Sequence, residues 1–138
     1  NNNKGEVKKL FLELKQHVHS ECIFSPPTYY KSWVGADEFL CIIESVGTVF
    51  GSSFEYQRQW LSDDGHDWAL EFTATIGKSN YKLNGIDLVK LDENGKIREF
   101  SVLGRPPNAI QELKNQMMLV ATPKLVALKA KKSMSSIF

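Results

Sequence analysis

Residues 85–100, Gly-Ile-Asp-Leu-Val-Lys-Leu-Asp-Glu-Asn-Gly-Lys-Ile-Arg-Glu-Phe, constrain the fold more than any other run in the chain. Asp92-Glu93-Asn94-Gly95 has turn chemistry, so its flanks are expected to be two antiparallel strands. Side chains alternate across a strand. Tyr81, Leu83, Gly85, Asp87, Val89 and Leu91 therefore share one face, and Lys82, Asn84 and Lys90 the other. Asp87 is an acid in an otherwise apolar row. An ionised carboxylate there is costly unless it is paired, protonated or set in a wet cavity. The last two are how small hollows acquire acid–base chemistry.

The rest of the chain supplies a layout for that hairpin. Val7, Leu10, Phe11, Leu14 and Val18 recur at helical spacing and predict an amphipathic helix from Gly5 to about His19. Cys22–Ser25 is a short strand ending at Pro26-Pro27, and 28–34 is irregular and aromatic. A second helix begins near Ala36-Asp37-Glu38, turns Phe39, Ile42, Ile43, Val46 and Phe50 inward, and stops at Gly51. From Ser53 the period becomes two. Phe54, Tyr56, Arg58 and Trp60 share one strand face; Trp68, Leu70, Phe72, Ala74 and Ile76 share a face of the next. Arg105-Pro106-Pro107 ends the sheet. Asn108 to Met118 is a helix with Ile110, Leu113 and Met117 inward, Pro123 interrupts it, and the lysine-rich tail from Leu125 is expected to be solvated and weakly helical.

Strands and helices are segregated, which is an α+β layout. Helices should cover one face of a strongly curved antiparallel sheet, a cone wrapped around helices with an internal pocket. The 138 residues fit a single domain, with no apolar run long enough to cross a membrane. With 17 basic and 16 acidic residues there is no charge signature for a nucleic-acid partner. Cys22 and Cys41 lie in apolar stretches and are expected to be buried thiols in a reducing compartment, with the cytoplasm as the default. The start, Asn1-Asn2-Asn3-Lys4-Gly5-Glu6, has no apolar core and is not expected to be a signal peptide. His17 and His19 fall on different helix faces, His66 sits in an acidic turn without calcium-loop spacing, and no metal is expected.

Four words resemble the SnoaL-like branch of the nuclear transport factor 2-like superfamily. They are Phe24-Ser25-Pro26, Val34-Gly35-Ala36-Asp37-Glu38, the run from Gly85 to Ile97, and Arg105-Pro106-Pro107-Asn108-Ala109-Ile110 with Leu113 behind it. The resemblance covers about residues 6–118, leaving 119–138 as a C-terminal extension. It implies a cone-shaped α+β barrel with a deep pocket and a homodimer through the outer sheet face. The family usually carries more helix before Ser25 than this chain does. The superfamily holds ketosteroid isomerases, polyketide cyclases, limonene epoxide hydrolases, dehydratases and non-enzymatic binding proteins, so fold does not settle function. Ser25 occupies the slot of the isomerase's proton-abstracting Asp and cannot be that base. Asp87 matches the second isomerase acid, which is held protonated to donate to an oxyanion. The tyrosine partner of that acid would lie on the missing N-terminal helix. The hydrolase triad is absent, since its last Asp would fall near Val102.

The expected activity is therefore cofactor-free proton transfer, of cyclase, isomerase or dehydratase type, on a small, largely apolar organic molecule. Asp87 would be the catalytic group, with Ser25, Tyr29, Tyr56, Arg58, Trp68, Phe72, Phe100 and Val102 as ligand contacts. Arg58 either points inward, where it would lower the pKa of Asp87, or lies in solvent on an edge strand. The bland reading of Asp87 is a structural carboxylate satisfied by backbone amides or by Arg58, and that of the aromatic stripe is plain core. A rival function is a non-catalytic dimeric binding or interaction module using the outer face through Glu71, Thr73, Thr75, Ile86 and Leu88.

Overall fold

The structure is a computed structural model that describes Lys9 and residues 12–137. Its elements are β1 (Val18–Ser25), β2 (Trp33–Val34), α1 (Ala36–Phe50), β3 (Glu55–Leu61), β4 (Asp67–Ile76), β5 (Tyr81–Leu91), β6 (Ile97–Arg105) and α2 (Pro107–Ile137). Six strands form one sheet in the order β2-β1-β6-β5-β4-β3. The last four make the expected antiparallel meander. β1 lies beside β6 in the parallel sense, which makes the sheet mixed.

The inner face follows from the alternation. Along β5, Leu83, Gly85, Asp87 and Val89 are buried while Lys82, Leu88 and Lys90 are exposed. Phe72, Ala74 and Ile76 bring the same face of β4 inward. Against it α1 lays Phe39, Leu40, Ile42, Val49 and Phe50, and α2 lays Ala109, Leu113 and Ala121. Two apolar clusters result. One gathers Phe24, Phe39, Val89 and Phe100; the other gathers Phe50, Phe72, Ile76, Leu83 and Leu113. Val46, Val102 and Met117 pack against both, so they mark the seam.

α1 begins at Gly35, whose φ of 127° suits glycine and lets the Glu38 side chain fold back over it. Asp37 and Glu38 lie in its positively polarised first turn, and Gly51 ends it.

The structure changes three local expectations. The first helix stops early: residues 12–15 are helical, 16–17 turn, and Val18 already belongs to β1. Strand pairing outweighs the helical spacing there, since Val18 is opposite Ile97 and the Ile97 amide donates to the His17 carbonyl at 2.7 Å. Val7, Leu10 and Phe11, on which that helix was based, lie outside the described residues. Pro123 does not interrupt α2, which runs on to Ile137. Pro123 and Leu119 are exposed, so the carbonyl deprived of a donor meets water, while Ala121 and Leu125 pack on either side. The third change is a bulge in β3, which decides the fate of Arg58.

Candidate functional site

Strand register lines up the inner face in three rungs. Tyr56, Phe72, Gly85 and Gly104 form the first; Gln59, Leu70, Asp87 and Val102 the second; Leu61, Trp68, Val89 and Phe100 the third. Asp87 stands in the middle rung, between the two apolar clusters, with 5% of its surface exposed. Tyr56 reaches across from the edge strand, and its hydroxyl donates to Asp87 Oδ2 at 3.1 Å. Phe54 holds the Tyr56 ring edge-on at 4.8 Å and itself stacks on Phe72 at 5.1 Å. That aromatic brace sets the direction of the hydroxyl. Gly85 makes room for it, since a Cβ there would lie 2.4 Å from the Phe72 ring and 2.9 Å from the Leu103 carbonyl oxygen.

Burial raises the Asp87 pKa from 3.8 to about 6, and the Tyr56 hydrogen bond pulls in the opposite direction with the smaller effect. Burial and the adjacent Asp87 charge push the Tyr56 hydroxyl well above its usual value, so it remains a donor. Asp87 can thus exchange a proton near neutral pH beside a fixed hydroxyl donor. Tyr56, Leu61 and Trp68 are exposed although they share the inner face, so that face is open towards β3.

Arg58 is not part of this site. Tyr56 is opposite Phe72 but Gln59 is opposite Leu70, so β3 carries one more residue than β4 between these pairs. Such a bulge turns its two residues to the same side. Gln57 reaches Thr73 Oγ1 at 3.1 Å, and Arg58 pairs with Glu71 at 2.7 Å, both on the outer face. The Arg58 guanidinium also covers the Trp60 ring at 5.1 Å. Gln59 takes the inner position that strict alternation gives to Arg58. The option in which Arg58 satisfies Asp87 is thereby excluded.

The remaining candidates are scattered. Ser25 Oγ shares a hydrogen bond of 2.8 Å with Ser32 Oγ. Tyr29 lies on the β1–β2 loop under the Lys114 ammonium, 4.8 Å from its ring centre. Phe72 and Phe100 are buried core, Val102 is partly buried beside Asp87, and Trp68 stands at the open side. Two hollows, of about 520 and 940 Å³, open elsewhere, and neither is lined by Asp87 or Tyr56. What the strand pattern did not disclose is the Tyr56–Asp87 bond. The alternation had already put both residues on the inner face; only strand order shows that β3 and β5 are close enough to join them.

Among the described residues, no three His, Cys, Asp or Glu side chains come together as metal ligands, and no helix is long and apolar enough to cross a membrane. Cys22 and Cys41 are free thiols, and burial raises the pKa of both, that of Cys22 to about 11.

No protein-family model and no curated protein matches the chain. Solved structures do match. A protein of Silicibacter pomeroyi DSS-3 with a cystatin-like fold is 33% identical, with a TM-score of 0.78 over 88% of this chain and 83% of that one. A steroid delta-isomerase from Pseudomonas aeruginosa is 31% identical, with a TM-score of 0.71 over 91% and 90%. The chain belongs to the nuclear transport factor 2-like superfamily. A SnoaL-like family member from Agrobacterium tumefaciens, 13% identical with a TM-score of 0.55 over 72% of this chain and 83% of its own, shares the fold. As a nuclear transport factor 2-like protein, the chain has the superfamily's sheet with a helix, α2, laid over its inner face.

Proposed function

We propose that the protein binds a small, largely apolar molecule bearing a carbonyl group on the open part of its inner sheet face, and moves a proton on it through Asp87. The observation that carries this reading is the Tyr56–Asp87 pair, an acid poised near neutral pH with a fixed hydroxyl donor on an apolar wall. Likeness to a protein named as a steroid delta-isomerase supports the same class of chemistry. Ser25 stands where the isomerase base would be, so one group, Asp87, would both take the proton and return it. As Asp87 takes the proton it stops holding the Tyr56 hydroxyl hydrogen, which would then turn to the oxygen on which charge develops. No cofactor is needed for such a step.

The test uses β,γ-unsaturated cyclic ketones in deuterated buffer, with exchange and double-bond migration followed by proton NMR. We expect turnover that rises with pH through an inflection near 6, as Asp87 ionises to become the base. Asp87→Asn should stay folded and lose turnover. Tyr56→Phe removes the bond that lowers the Asp87 pKa, so the inflection should move to higher pH. Turnover unchanged in Asp87→Asn would end the proposal.

One observation favours a second role for the outer face. Trp60, Leu88 and Leu103 are exposed there beside Ala69 and Ile86. A contiguous apolar patch on a sheet suits a partner, and a second copy of the chain is the one we propose.

A further inference from the structure

We propose that the cleft between α2 and the β1–β2 loop is a second binding site, taking a free single-chain apolar molecule that ends in a carboxylate. Its volume, about 940 Å³, lies at the upper end for small-molecule sites. It is separate from the acid–base pair, since neither Asp87 nor Tyr56 lines it. Core residues such as Phe24 and Met117 form its floor. Trp33 and Val34, 39% and 60% exposed, line it from the strand side; Met118 and Val126, 54% and 63% exposed, line it from α2. Apolar side chains from two separate elements thus border one hollow, which suits an inserted chain better than a flat lipid surface.

The charges around the cleft choose the head group. Lys31, Lys114, Lys129 and Lys132 line it, against the single acid Glu38. Glu38 is paired with Lys132 through Oε1, and its Oε2 is buried without a hydrogen-bond partner. Lys31, Lys114 and Lys129 have no carboxylate partner among the described residues. Lys114 is engaged with the Tyr29 ring, which leaves Lys31 and Lys129 as ammonium groups that an entering carboxylate can pair with, whereas a neutral head group gains only the apolar contact and a cation is repelled. The wall itself is held by charge: Lys124 pairs with Glu44 at 3.6 Å and Lys132 lies 3.9 Å from Asp37, both fastening α2 to α1. A third of the lining comes from the stretch after residue 118, so the lysine-rich extension is a wall of this cleft.

Calorimetry on the full chain with dodecanoate, 1-dodecanol and dodecyltrimethylammonium, each below its aggregation threshold, tests the proposal. Dodecanoate should bind saturably, one molecule per chain, and at least about tenfold more tightly than either analogue. Combined Lys31→Glu and Lys129→Glu should weaken dodecanoate by about tenfold or more. Thr122→Trp, at an exposed position lining the cleft, should block it, with Val126→Glu as a second blocking variant and circular dichroism confirming that each is folded. Asp87→Asn should leave dodecanoate binding unchanged, which keeps this test independent of the acid–base site. Equal affinity for the three probes, binding of several molecules per chain, insensitivity to the lysine reversals, or loss of binding in Asp87→Asn would each overturn the proposal.

Discussion

At the scale of single residues, Asp87 makes its own stability prediction. Its carboxyl is harder to ionise in the folded protein, at about 6, than in the unfolded chain, near 3.8. The folded state therefore holds the proton longer, and stability falls as pH rises from about 4 through about 6, then levels off. By linkage the loss is about 2–3 kcal/mol. Asp87→Asn removes the titration, so its stability relative to the parent should improve by that amount between pH 4 and pH 8, read from urea midpoints at the two pH values. A flat difference would mean that Asp87 ionises freely. The position of Asp87 was legible because two-residue alternation needs only local sequence. Its partner was not, because Tyr56 meets it across an intervening strand, and the distance depends on sheet order.

Two elements carry predictions of their own. In β3 the bulge puts Gln59, not Arg58, in the rung of Asp87. Gln59→Arg should place a guanidinium within reach of Asp87 and lower its pKa towards the ordinary carboxylate range, which carbon-detected NMR titration reads directly. Arg58→Ala should leave that titration unmoved. In β5, Gly85→Ala forces a methyl group into the Phe72 ring and the Leu103 carbonyl oxygen, and should cost about 1–3 kcal/mol in denaturant unfolding. The sheet elements were readable from period and turn chemistry, and α1 from its apolar spacing and Gly51. The bulge was not, because an extra residue leaves no mark in an exposed edge strand where every β3 position is exposed. The run of α2 through Pro123 was hidden for a different reason: local propensity argues against it, and the packing of Ala121 and Leu125 holds it.

For the whole molecule, the two faces of the sheet divide the work. The inner face carries the clusters, the acid pair and the covering helices; the outer face carries Trp60, Ile86, Leu88 and Leu103. We expect a two-fold dimer in light scattering at tens of micromolar, and a monomer for Leu88→Lys combined with Leu103→Lys. A monomeric parent would remove the dimer from the proposal without touching the chemistry of Asp87. The bulge in β3 also bears on how such a protein changes by descent. β3 is an edge strand with a neighbour on one side only, so a one-codon insertion or deletion there disturbs a single ladder and spares the core. Loss of Gln59 would carry Arg58 through the sheet from the solvent side to the acid, keeping the pairings of Trp60 and Leu61. A shift in reading length, with no residue exchanged, is enough to turn a free acid into an ion-paired one.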